Sequence, residues 1–211
     1  MQVKKKKVAL ITAHPDDETL WAGGMLLNNP HWDCFIVCLC RRHDPDRAPK
    51  FNKALEILNC KGNMGDLDDG PDQTPQNQTQ IDRLILELLP IAHYDLIITH
   101  NPLGEYTRHL RHEEIGISVL NLWHENKISC TELLVFAYQD NHKQHYPKAA
   151  SSADFYFELS TALWQKKYAI ITQIYGFAPE SWEAKTTPQL EAYRRFTNKD
   201  DALEWLKKIK L

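Results

Sequence analysis

The chain predicts an α/β fold built on a mostly parallel sheet, with its functional groups at the C-terminal ends of the strands. Two observations carry this. Residues 8–12 (Val-Ala-Leu-Ile-Thr) and 96–99 (Leu-Ile-Ile-Thr) are short, nearly continuous apolar runs, as expected for strands buried on both faces. Each leads into a polar loop and then a helical pattern, and open α/β sheets place ligands where such strands end. At 211 residues and 43% hydrophobic content, one well-buried domain spanning 1–211 is expected.

Taken in order, the strand at 8–12 ends before Pro15, which cannot continue a ladder, and residues 19–27 read as a helix. Between them stand His14, Asp16, Asp17 and Glu18. Acids at a helix start are often no more than capping residues. A neighbouring imidazole favours another reading, since His and Asp three apart in a tight loop can face one ion. Gly23-Gly24 reads as a close packing point of that helix. A strand follows at 34–40, on which Cys34, Cys38 and Cys40 share parity and so one face, as buried small hydrophobes rather than a zinc–thiolate site.

Helices are expected at 50–58 and 79–92, joined by an uncertain segment and the acidic turn 66–72. After the strand at 96–99 comes a Pro/Gly loop and a helix at 112–125, with His109 and His112 on one face of its first turn. Solvated surface is the ordinary alternative for such a pair. A last strand is read at 132–138, followed by helices within 153–174 and at 189–196 and 200–209. Among the later aromatics, Trp164, Tyr175, Trp182 and Tyr193 suit core packing better than a sugar platform. His142 and His145 follow a strand and could reach the site rim, with a surface loop as the ordinary reading.

The motif His14-Pro15-Asp16-Asp17-Glu18 with Gly23-Gly24, followed by Gly104-Glu105-Tyr106 and His109-Leu110-Arg111-His112, resembles the PIG-L/LmbE family of zinc-dependent N-deacetylases. The likeness covers residues 6–125 well and the remainder loosely. It implies a Rossmann-like three-layer sandwich and removal of an N-acetyl group from an N-acetylglucosamine-type sugar. It also implies Zn²⁺, or another divalent ion such as Fe²⁺, held by His14, Asp17 and His112, with Asp16 as general base. His109 would assist the oxyanion and the leaving amine, while Arg47, Asp69 and Tyr106 would meet the substrate. The chain departs from the family pattern where Thr107-Arg108 precede His109 and Leu110-Arg111 stand in place of Pro-Asp, with the ligand spacing intact.

The residues agree with that chemistry. Hydrolysing an acetamide needs an activated water, a polarised carbonyl and a proton for nitrogen. A divalent ion supplies the first two, a free carboxylate takes the water's proton, and a protonated histidine offsets the oxyanion. Hydrolysis of a different amide, or metal and sugar binding without turnover, are the alternatives; the second has no need of Asp16. A nicotinamide enzyme is a poor reading, because Gly-x-Gly-x-x-Gly is absent after Thr12 and acids occupy the phosphate position.

Net charge of −3 argues against a nucleic-acid partner, and a small amino-sugar substrate is expected instead. Lys4 to Lys7 precede too few apolar residues for a signal segment, and no stretch nears the ~20 apolar residues of a membrane span. Five scattered cysteines fit a reducing compartment, so a cytoplasmic location is expected.

Overall fold

The computed structural model describes residues 5–107 and 109–209, so Lys4 and Arg108 lie outside the described residues. Its centre is a seven-stranded sheet. In chain order the strands are β1 (Lys7–Thr12), β2 (Asp33–Cys38), β3 (Lys61–Met64), β5 (Leu96–Thr99), β7 (Leu133–Phe136), β10 (Phe155–Glu158) and β11 (Leu190–Phe196). Their order across the sheet is β10-β11-β7-β5-β1-β2-β3. The five from β7 to β3 run parallel. β11 is antiparallel to both β7 and β10. Two small ribbons flank the sheet: β4 (His93–Tyr94) with β6 (Ser129–Cys130), and β8 (Tyr138–Gln139) with β9 (Lys148–Ala149).

Strand side chains alternate between faces, and here each face has its own core. Val8 and Leu10 of β1 meet α1 (Asp17–Asn28), α2 (Arg47–Leu58) and residues beyond the end of α5 (Thr161–Ala169), including Ala184 of the short α6 (Trp182–Thr186). Ala9 and Ile11 meet α3 (Gln78–Leu88), α4 (Leu110–His124) and α7 (Lys199–Ile209). The result is the expected Rossmann-like three-layer α/β sandwich with a mostly parallel sheet. The chain runs outward from β1 to β2 and β3, then returns to place β5 on the other side of β1. The gap between β1 and β5 is thus a topological switch point, where open sheets bind ligands.

Several boundaries and two elements differ from the sequence expectation. The segment expected as a helix at 189–196 instead forms strand β11 from Leu190, and 155–158 form strand β10. Leu, Glu, Ala and Arg carry helix propensity, but hydrogen bonding to β7 overrides it and completes the sheet. Strand β2 stops at Cys38, because the amides of Leu39 and Cys40 turn to bond Thr12 O and Ala13 O. That turn moves Cys40 to the core opposite the one holding Cys34 and Cys38, correcting their shared face. Helix α2 begins at Arg47, three residues early, with Pro49 in the first turn, where amides lack helical partners anyway. Helix α3 ends at Leu88 because Leu89, preceding Pro90, is extended.

Gly24 packs as expected. A Cβ there would lie 2.3 Å from Leu159 Cδ2, so only glycine lets α1 approach the segment after β10. No described helix is long and apolar enough to cross a membrane.

Candidate metal centre

The loop after β1 folds on itself because the Asp17 carboxylate reaches back to the His14 amide, accepting its N–H at 2.7 Å. The acids here are not helix caps. Asp16 occupies the N-cap of α1 without a side-chain cap bond, and Asp17 Oδ1 accepts instead from Trp21 Nε1 at 3.1 Å. Asp16 makes the turn at φ 122°, a conformation costing a non-glycine residue about 1–3 kcal/mol. Across the switch point, His109 occupies the N-cap position of α4 without a side-chain cap bond and His112 sits in its first turn, their rings stacked at 4.3 Å. His112 is 1% exposed, so a surface role is ruled out for it.

Three donor atoms converge. His14 Nδ1 lies 3.2 Å from Asp17 Oδ2 and 3.2 Å from His112 Nε2, and His112 Nε2 lies 3.4 Å from Asp17 Oδ2. Bonds of 2.0–2.1 Å in a tetrahedral site put neighbouring ligand atoms about 3.3 Å apart, so this triangle has the size of one divalent ion's coordination face. The far ring nitrogens are already engaged. His14 Nε2 meets Asp69 Oδ1 at 3.1 Å, and His112 Nδ1 meets Glu105 Oε2 at 2.5 Å. With protons held on that side, lone pairs of both imidazoles face each other and a carboxylate. A divalent cation satisfies such a set, and carboxylate-backed histidines are its usual support. The imidazoles of His112 and His100 outweigh burial and hold the Asp17 carboxyl well below its ordinary range.

Asp16 lies beside these atoms without joining them. Its Oδ2 is 3.4 Å from Arg47 Nη1, and burial, then the charge of Asp17, push its carboxyl well above the ordinary range. Arg47 also lies over the Phe177 ring at 4.6 Å and donates its amide to Asp44. Burial, then His112 and His14, hold His109 down to about 2. Its Nδ1 is buried without a hydrogen-bond partner among the described residues. Two of the donors, His14 and Asp17, line a cleft of about 1010 Å³, whose walls also include Arg47, Tyr106, His109, His145 and Trp182.

The structure therefore brings together all eight residues singled out from the sequence. Asp69 has a second engagement, because Arg41 Nη2 donates to its Oδ2 at 2.7 Å while Oδ1 supports His14. Of the neighbouring acids, Asp66, Asp68 and Asp72 are the solvated ones. Trp182 packs on Tyr106 at 4.6 Å and is the later aromatic that reaches the cleft, whereas Tyr175 and Tyr193 are buried. His145 lines the cleft too, so the surface-loop reading holds for His142 but not for it.

Sequence reasoning missed the supports. Glu105, fully buried, also takes His100 Nδ1 at 3.1 Å, and His100 Nε2 accepts the Ala13 amide at 3.0 Å. The imidazole of His100 thus links the two ligand loops. Arg111, which breaks the family pattern, is wholly buried; it donates to Asp68 O and Thr74 O and pairs with Glu114, pinning the loop that carries Asp69. Gly116 permits this assembly, since a Cβ there would stand 2.6 Å from His100 O.

Known proteins share this fold. N,N'-diacetylchitobiose deacetylase from Pyrococcus horikoshii aligns over 95% of this chain and 85% of its own, with TM-score 0.65 and 16% identity. A deacetylase of the teicoplanin biosynthetic pathway aligns over 92% and 100%, with TM-score 0.61 and 15% identity. GalB, the 4-carboxy-2-hydroxymuconate hydratase from Pseudomonas putida KT2440, aligns over 92% and 97%, with TM-score 0.61 and 16% identity. In sequence, uncharacterized protein L374 of Acanthamoeba polyphaga mimivirus is 24% identical over 184 residues, 81% of this chain and 78% of its own. No family model matches the chain. The fold implied by the PIG-L/LmbE resemblance is thus the fold observed, and it is one that solved deacetylases have.

Proposed function

We propose that this chain is a PIG-L/LmbE-type, metal-dependent N-deacetylase that hydrolyses the acetamide of an N-acetylglucosamine-type sugar or conjugate. The observation that carries the reading is the donor triangle of His14, Asp17 and His112 with an uncoordinated carboxylate, Asp16, beside it. A divalent ion, Zn²⁺ or Fe²⁺, held there supplies Lewis acidity to the acetamide carbonyl and acidity to the attacking water. Asp16 takes a proton from that water. Its raised pKa suits it to pass the proton on to the departing nitrogen, so that acetate and a free amine leave. His109 assists the oxyanion, and because burial, then His112 and His14, lower its pKa, it does so as an N–H donor rather than through a full charge. A site for metal alone would not require Asp16 held at φ 122° in the cleft.

The test is acetate release from a panel of N-acetylglucosamine conjugates and unrelated N-acetyl amides, with the protein loaded with Zn²⁺ or Fe²⁺. Release from the sugars supports the reading. Release from the other amides alone moves the substrate class, and no release from any points to binding without turnover. Arg47 places its guanidinium at the cleft and off the donor triangle. Arg47→Ala is therefore expected to keep its metal while kcat/KM falls roughly tenfold or more, as for a lost charge-assisted hydrogen bond. Unchanged kinetics on the substrate would leave Arg47 as a helix-start residue.

A further inference from the structure

Glu18 is fully buried one residue beyond Asp17, and its hydrogen bonds go to the Asp16 amide and to two hydroxyls rather than to the donor triangle. Its Oε2 reaches back and accepts the Asp16 amide at 3.0 Å. That amide belongs to the residue with φ 122° and ψ −30°. Glu18 Oε1 accepts the hydroxyls of Thr19 and, at 2.8 Å, of Tyr175. Tyr175 comes from the far end of the chain, where α5 runs into a π-helical turn, Ile170–Ile174, closed by the Tyr175 amide on Ile170 O at 3.0 Å. Such wide turns insert an extra residue and rotate the downstream side chains about the helix axis. The first residue past this turn is the buried Tyr175, whose hydroxyl meets Glu18.

From this arrangement we propose that Glu18 is a positioning residue for the base: its hydrogen bond to the Asp16 amide, braced by Tyr175, fixes the strained backbone that aims the Asp16 carboxylate into the cleft. The role rests on the deacetylase reading only in that Asp16 is the base. A backbone in an unfavourable conformation relaxes unless its surroundings over-determine it. The supports of Asp16 are unequal: its carbonyl accepts the first helical amides of Thr19 and Leu20, as any N-cap carbonyl does, whereas its amide is held by Glu18. Losing that bond frees the peptide between Pro15 and Asp16 to rotate. Asp17 has its own anchors in Trp21 and the His14 amide, so the donor triangle stays.

The test compares Glu18→Leu, Glu18→Gln and Tyr175→Phe with the parent. Glu18→Leu is expected to keep its bound metal and its KM within about threefold while kcat falls at least tenfold. Glu18→Gln, whose amide oxygen can still accept the Asp16 N–H, should recover most of kcat, and Tyr175→Phe should lose a few-fold. Crystal structures of the variants give a readout that needs no turnover: Asp16 should leave positive φ in Glu18→Leu and keep it in Glu18→Gln. If the parent releases no acetate but Asp16 moves in this way, the clamp stands and the deacetylase reading falls. If Glu18→Leu does not fold, the Tyr175→Phe and Glu18→Gln pair decides by the same two measurements. Asp16 unmoved in Glu18→Leu, a kcat loss that only tracks metal loss, or glutamine as damaging as leucine would each overturn the proposal.

Discussion

Replacing His112 by alanine is expected to leave the chain folded but without its divalent ion, and without measurable acetate release. His112 Nε2 is one corner of a triangle whose sides are 3.2, 3.2 and 3.4 Å, and two remaining ligands hold a hydrated ion far more weakly than three. His14→Ala and Asp17→Ala should behave alike. Elemental analysis after dialysis, alongside circular dichroism, separates metal loss from unfolding. Glu105→Gln provides a graded control: it keeps the shape of the support behind His112 and His100 but removes its charge, so metal affinity should fall about 10- to 100-fold rather than vanish. Full metal in all three alanine variants would remove the centre from this triangle.

What was legible in the sequence was whatever local spacing fixes. The strands at 8–12 and 96–99 stood out because a strand buried on both faces needs an unbroken apolar run, and His14 and Asp17 stood out because ligands leave the ends of such strands, whereas the choice of His112 over His109 came from the family resemblance. Glu105 and His100 carried no such signal. They act on other side chains, Glu105 across seven residues to His112 and His100 across 87 to Ala13, and only the adjacency of β5 and β1 creates those contacts. Strand β11 was hidden for a related reason. Its Glu191 looks like a helix residue, but it is buried against Lys167 Nζ at 2.8 Å and accepts the Gly24 and Met25 amides of α1. A carboxylate among helix formers signals a strand only once the helix it serves is known. Tyr175 likewise belonged to a segment that matched the family loosely, and its engagement with Glu18 depends on a π-turn that periodicity does not encode.

Exchanging the two adjacent aspartates for asparagine separates base from ligand. Asp16→Asn is expected to hold its metal nearly as well as the parent and to lose activity by about 10² to 10⁴, the range for a positioned general base. Asparagine preserves the side chain's shape and the packing near Arg47, but it cannot take a proton. The carboxylate it replaces is one whose pKa burial and Asp17 push upward, so that its loss should also remove the acidic limb of the pH–rate profile. Asp17→Asn should instead lose metal affinity first. Its Oδ2 accepts the His14 amide at 2.7 Å while facing both imidazoles, and a neutral amide oxygen there no longer balances an ion's charge. Activity of Asp17→Asn should recover in part at high Zn²⁺ concentration, while Asp16→Asn should gain nothing from added metal. The reverse order, with Asp16→Asn emptied of metal and Asp17→Asn filled but inactive, would shift the ligand by one residue. The water would then have to be activated by a group other than Asp16, and the buried carboxylate of Glu105 is already engaged by His100 Nδ1 and His112 Nδ1.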